Sequence, residues 1–275
     1  MQGVHQAYAT RSFFPYCAYA RLLVQVANLA TAGTVLSEDR LRAYFKCSQY
    51  YHYGGIQETP VLMTVIKATI ELMMAEAVEK EIDSPSTSFL PYLQKAIGRL
   101  NLRRLYLEGE IFDLTNKAIF ALTEFFTLVS PSKYLPFTGP TLHRVLISKT
   151  PIDLRISSTM VRKGTQELIG IYFSPYVLTH HTQNDPIPYL HLRLLEKFGT
   201  DHFKRNTASL FVFGVDKNGG LTTQVLGNKD FKEDSYVLLQ GVVRAIEMGI
   251  HFPLNPCQHY CEFKEKCFPY KKTCP

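Results

Sequence analysis

Cys257-Gln-His-Tyr-Cys261-Glu-Phe-Lys-Glu-Lys-Cys267 places three cysteines near the end of the chain, and a fourth closes the far upstream stretch Leu41-Arg-Ala-Tyr-Phe-Lys-Cys47. A self-contained zinc knuckle closes on two cysteine pairs about a dozen residues apart. One distant cysteine with a terminal triplet instead joins the two ends of a domain, so that Cys47, Cys257, Cys261 and Cys267 are expected to meet around one cofactor. Four thiolates suit zinc and a 4Fe-4S cluster alike, and His259, inside the triplet, is an alternate ligand. Cys17, among Phe14, Pro15 and Tyr16, reads as a small buried hydrophobe, and Cys274 as a frayed terminal residue.

The 275 residues are 46% hydrophobic and 20% charged, enough for one sizeable core. No run of about 18 apolar residues crosses a membrane, because Arg21, Gln25 and Asn28 interrupt the apolar stretch between Ala18 and Ala32. The opening MQGVHQAYATRSFF lacks the basic and small-residue features of a signal peptide. Six cysteines without an export signal imply reduced or metal-bound thiols and a cytosolic setting.

Residues 1–35 read as a helical extension packed through Phe13, Phe14 and Tyr16. Ser37 is a good N-cap for the helix carrying Arg40 and Leu41. Pro60 opens a long amphipathic helix to about Lys80, with Leu62, Ile66, Thr69, Met73 and Ala77 at helical spacing. Further helices are expected over Tyr92–Arg104 and Thr115–Leu128. Beyond Leu142 the period shortens: Leu142–Ile147, Ile152–Ile156, Glu167–Phe173 and Ser209–Val215 read as strands, with helices at Leu190–Phe198 and Tyr236–Met248. Helices first, then strands separated by helices, give an α/β core sheet covered by helices.

The cysteine layout, the opening stretch LSEDRLRAYFKCSQYYHY at 36–53 and the tail from Phe252-Pro253 to Cys267 resemble the RecB-like iron-sulfur branch of the PD-(D/E)XK nuclease superfamily, which includes the AddB nuclease domain and CRISPR-associated RecB-like exonucleases. The gap of three between the first two tail cysteines departs from the two more usual there. The resemblance implies a restriction-endonuclease-like core sheet flanked by helices. Residues 1–35 then form an extension, 36–140 the helical part, 141–250 the sheet core and 251–275 the cysteine lobe. It also favours the 4Fe-4S cluster over zinc.

In that superfamily two carboxylates hold Mg or Mn beside the scissile phosphate, and a lysine activates water. Here Pro151-Ile152-Asp153-Leu154 supplies Asp153 as a vestigial carboxylate. Leu168-Ile169-Gly170-Ile171-Tyr172-Phe173 carries Gly170 and Tyr172 where a carboxylate and a lysine belong. Lys67 stands where the family's metal-binding histidine falls, and a cation there repels a metal ion. The helix around Pro188–Leu195 shows no copy of the family's Gln and Tyr. Only migrated ligands, Glu167 and Lys163 with Asp153, could rebuild a Mg/Mn site, and the offset from Glu167 to Gly170 inverts the face of a regular strand. Lone histidines, including His191, are expected in core or solvent.

The net charge of +6 is uneven, with Arg99, Arg103 and Arg104 in one helical stretch and Lys264 and Lys266 among the tail cysteines. These clusters offer phosphate contacts; as helix faces they are otherwise merely solvated. The expectation is a catalytically inactive, DNA-binding RecB-like protein within a recombination, defence or phage DNA-metabolism assembly. An active Mg/Mn-dependent deoxyribonuclease and a protein-protein scaffold with a vestigial cleft are the alternatives. Purified anaerobically, the protein is expected to be brown and to contain iron and sulfide, and Cys47→Ser is expected to lower its Tm, since metal binding free energy is folding free energy for such a site. A colourless protein with stoichiometric zinc would assign zinc instead.

Overall fold

Every residue of Leu168–Phe173 is buried, and so is every residue of Ala208–Val215, the pattern of strands covered on both faces. These two strands are the centre of the molecule. A computed structural model describes residues 35–46, 52, 59–81, 88–130, 132–147, 149–165, 167–175, 178, 186–203, 208–227 and 233–250. Along it run β1 (Leu36–Ser37), α1 (Glu38–Lys46), α2 (Val61–Glu79), α3 (Leu90–Arg99), a 3-10 turn (Leu102–Arg104), α4 (Glu108–Leu128), β2 (Tyr134–Thr138), β3 (Thr141–Ile147), β4 (Thr150–Ile156), β5 (Ser158–Arg162), β6 (Leu168–Phe173), α5 (Ile187–Phe203), β7 (Ala208–Val215), β8 (Leu221–Gly227) and α6 (Glu233–Glu247).

The strands form two mixed sheets, five strands in the order β2-β5-β6-β7-β8 and three in the order β1-β4-β3. Within the larger sheet β6 and β7 are parallel and the other neighbours antiparallel. The parallel pair needs a crossover, which α5 supplies. Alternate residues of β6 divide the core. Ile169, Ile171 and Phe173 pack with α2, α3 and α4, where Phe125 meets Phe213 at 4.9 Å between ring centroids. Tyr172 faces a second cluster made by α1, the β3–β4 hairpin, α5 and α6. The protein is therefore a mixed α/β structure with helices over its sheets.

The expected helices and strands are present, with differences at their ends. Ser37 Oγ accepts the Arg40 N–H at 3.3 Å, the cap expected for α1. The expected helix to Arg104 stops at Arg99, because Asn101 takes the left-handed φ of 53° and the chain re-enters as a 3-10 turn. The helix expected from Thr115 begins at Glu108, where Glu110 reaches back to accept the Leu107 N–H at 2.8 Å. β2, β5 and β8 had no counterpart in the sequence reading. Pro136 obscured β2, and it is tolerated because β2 is an edge strand with an irregular register. The 1–35 extension, with Phe13, Phe14 and Tyr16, lies outside the described residues save Val35.

At Gly170 the side chains of α5 pack close against the sheet. A Cβ there would stand 2.8 Å from Leu195 Cδ2 and 2.9 Å from Leu210 Cδ1, both fully buried. Gly170→Ala is expected to destabilise the protein by about 1–3 kcal/mol through overpacking, measured by urea unfolding. In a Leu195→Ala background the same substitution is expected to cost less, because the clashing methyl group is gone.

Candidate functional site

Open α/β sheets bind ligands beyond the carboxyl ends of their parallel strands, and at that end of β6 the chain buries charged groups. Glu38, the first residue of α1, accepts the Arg155 backbone N–H at 2.9 Å and the His191 Nε2–H at 3.0 Å on Oε1, and Arg42 Nη2 at 3.1 Å on Oε2. Arg42 also donates to Asp39 Oδ1 at 3.2 Å. Arg155, on β4, donates through Nη2 to Glu71 Oε2 at 2.6 Å. The carboxylate of Glu71 is 5% exposed, though it stands on the apolar face of α2.

Tyr172 and His191 complete the cluster. Their rings lie 4.4 Å apart, and the Arg42 guanidinium sits 5.7 Å above the Tyr172 ring. His191 is wholly buried, the core role expected for it. Tyr172 Oη and His191 Nδ1 have no hydrogen-bond partner among the described residues. Lys67 acts on Asp39 electrostatically and adds one more cation to the same neighbourhood.

Burial raises the Glu38 carboxyl, but the charge and hydrogen bond of His191, the Arg42 guanidinium and the Arg155 amide outweigh it and bring the pKa from 4.5 down to about 2. Asp39 moves the other way, raised by burial more than Arg42 and Lys67 lower it. The buried carboxylates of Glu38 and Glu71 are thus each engaged by a guanidinium. Among the described residues no group of three or more His, Cys, Asp or Glu is disposed to hold a metal ion.

The residues singled out from the sequence fall in separate places. Asp153 lies on β4 between Ile152 and Leu154, which pack into the cluster holding Tyr172. Its own side chain takes the opposite face of the three-stranded sheet, where Arg144 holds it through Nε at 2.7 Å and Nη2 at 3.0 Å. Glu167 precedes β6 at the other end of that strand, paired with Arg162 at 3.0 Å and accepting the Ser209 hydroxyl. Lys163 is exposed on the β5–β6 turn. Asp153, Glu167 and Lys163 therefore do not converge. Arg99 lines a groove of about 490 Å³ between α2 and α3, with Lys80 and Lys95 and the acidic Glu76 and Glu79. Arg103 and Arg104 are exposed on the 3-10 turn.

Cys47, Cys257, Cys261, Cys267, His259, Lys264 and Lys266 lie outside the described residues, and so do Cys17 and Cys274. Their described flanks nevertheless converge. Tyr44, on the last turn of α1 ahead of Cys47, donates its hydroxyl to the Ile250 carbonyl at 2.7 Å across 206 residues of sequence. Ile250 is the last described residue before the tail, so the described end of α1 and the described end of the chain after α6 meet at this contact.

Glu38, Arg42, Glu71 and Arg155 were not singled out from the sequence as site residues. One signal was present: Glu71 interrupts the apolar stripe of Ile66, Ile70 and Met74, and a charge on a buried stripe needs a partner.

No protein-family profile matches the chain, and no curated protein matches it. Among solved structures, the one described as "Crystal structure of SSO0001" aligns at 11% identity and a TM-score of 0.28, over 82% of this chain and 93% of that one. A likeness that slight supports no argument.

Glu38→Ala is expected to destabilise the fold by about 3–5 kcal/mol, since it leaves buried cations uncompensated. The pH dependence has a definite sign. A carboxyl lowered from 4.5 to about 2 contributes stability that is fully present above pH 4.5 and is lost as pH falls toward about 2. Glu38→Gln is expected to flatten that acid limb, seen by chemical unfolding at stepped pH.

Proposed function

We propose that the protein is a catalytically inactive member of the RecB-like iron-sulfur branch of the PD-(D/E)XK nucleases, binding DNA inside a larger assembly for recombination, CRISPR-type defence or phage DNA metabolism. The β6–α5–β7 unit with the antiparallel β5 serves as the nuclease-like core. The observation that carries the reading is the charge arrangement at the carboxyl end of β6. Cations from the chain itself, Arg42 and Arg155, occupy the carboxylates Glu38 and Glu71, while Gly170 and Tyr172 carry no ligand oxygen of the carboxylate type. A hydrolytic metal centre needs carboxylates free to bind the ion.

Cys47, Cys257, Cys261 and Cys267 would hold the cluster, and the Tyr44–Ile250 hydrogen bond supports their meeting. Four thiolates fit 4Fe-4S, with zinc as the alternative. Bound by these four thiolates, such a cluster would link the two ends of the domain. DNA phosphates would be met by Arg99 and Lys95 of the α2–α3 groove and by Lys264 and Lys266 of the tail.

The test is binding and stability of labelled linear single- and double-stranded DNA in Mg or Mn. Binding that weakens steeply with salt and leaves the DNA intact is the expected result. Lys95→Ala with Arg99→Ala is expected to reduce the slope of log affinity against log salt by about two phosphate contacts. Degradation that is lost in Asp153→Ala or Glu167→Gln would establish the Mg/Mn nuclease. The absence of salt-sensitive binding would establish the scaffold.

A further inference from the structure

The turn between α3 and α4 exposes an unusual amount of apolar surface. Leu105 is 72% exposed, Leu107 76%, and Phe112, one turn into α4, 69%. Tyr106 and Phe120 are exposed beside them. None of these side chains takes part in the buried charge cluster or lines the α2–α3 groove. Large apolar groups this exposed and this close together mark an interaction surface.

The charges around the ridge say what covers it. On its N-terminal side stand the exposed Arg103 and Arg104; on its C-terminal side stand the exposed Glu108, Glu110 and Asp113, with Glu110 accepting the Leu107 N–H and Asp113 paired with Lys117 of α4. A positive flank, an apolar centre and a negative flank form a surface that is complementary to itself under a two-fold rotation. A two-fold axis through Leu105–Leu107 brings Arg103 and Arg104 of one copy toward the acidic start of α4, Glu108 and Asp113, of the other, and repeats the same contacts on the opposite side. Phe112 of each copy then packs at the border of the shared apolar patch. The chain as a whole carries +6, which opposes self-association. At the ridge the opposite charges nearly balance, so two copies meet there without that repulsion. A polyanion fits poorly, because the acidic flank would face its phosphates.

We propose that the Arg103–Phe112 ridge is the self-association surface of this protein, occupied by the same ridge of a second copy in an isologous dimer. The proposal does not rest on the DNA-binding reading, and Leu107 and Phe112 lie apart from the groove residues that test it.

Sedimentation velocity over a concentration series, at low and high salt, reads the association directly. The wild type is expected to dimerise, less tightly at high salt. Leu107→Glu with Phe112→Glu is expected to give monomer, with an unchanged far-ultraviolet circular dichroism spectrum. Two charge variants supply the decisive arm, Arg103→Glu/Arg104→Glu and Glu108→Arg/Asp113→Arg. Glu110 is left in place because it caps α4. Each variant alone is expected to be monomeric, since its flanks share one sign, and an equimolar mixture is expected to form a heterodimer at least about tenfold tighter than either homodimer. Recovery on mixing shows that both variants are folded. A wild type monomeric throughout the series, or charge variants that do not recover on mixing, would overturn the proposal. So would loss of DNA binding in Phe112→Glu from a monomeric wild type, which would assign the ridge to nucleic acid.

Discussion

The carboxylate of Glu38 ties together three parts of the chain that no local rule connects. Through it α1, β4 and α5 share one set of charge-assisted hydrogen bonds, from the Arg155 amide, Arg42 and His191. Such a set contributes less by its net stabilisation than by the cost of breaking it, because each buried charge left alone is expensive. It therefore fixes one arrangement of the second layer against the sheet. The lowered pKa of Glu38 has the same origin.

At the carboxyl end of β6 the charge cluster neutralises its own carboxylates. A metal centre and an ion-pair cluster solve one problem, the neutralisation of carboxylates gathered at a strand end, by different cations. Here the guanidinium of Arg155 meets Glu71 at 2.6 Å, and Tyr172 offers its ring to Arg42 and His191. Leu195 and Leu210 fill the space beside Gly170, so no carboxylate fits there without moving α5.

On the opposite face, an ordinary apolar core holds α2, α3 and α4 to the sheet through Phe125, Phe173 and Phe213. That layer leaves the outer side of α4 without cover, and the ridge at its start is the consequence. The two faces thus serve different ends: one specifies the arrangement of the fold, and the other presents surface to a second molecule.

By itself the sequence determined what depends on neighbours in the chain. Apolar periodicity placed α2, Ser37 placed the start of α1, and β-branched and aromatic runs placed β3, β4, β6 and β7, because each signal acts through local backbone and side-chain geometry. The pairing of Cys47 with the tail cysteines, read from the sequence, concerns residues outside the described ones. Only the tertiary structure decided where the charges go. Asp153 looked like a site carboxylate by its motif, yet the alternation of β4 turns it toward Arg144. Glu38, Glu71 and Arg155 stand far apart in the chain, yet they converge on one strand end. Charge pairing is set by distance in space, and no spacing along the chain encodes which face of which strand will meet which helix.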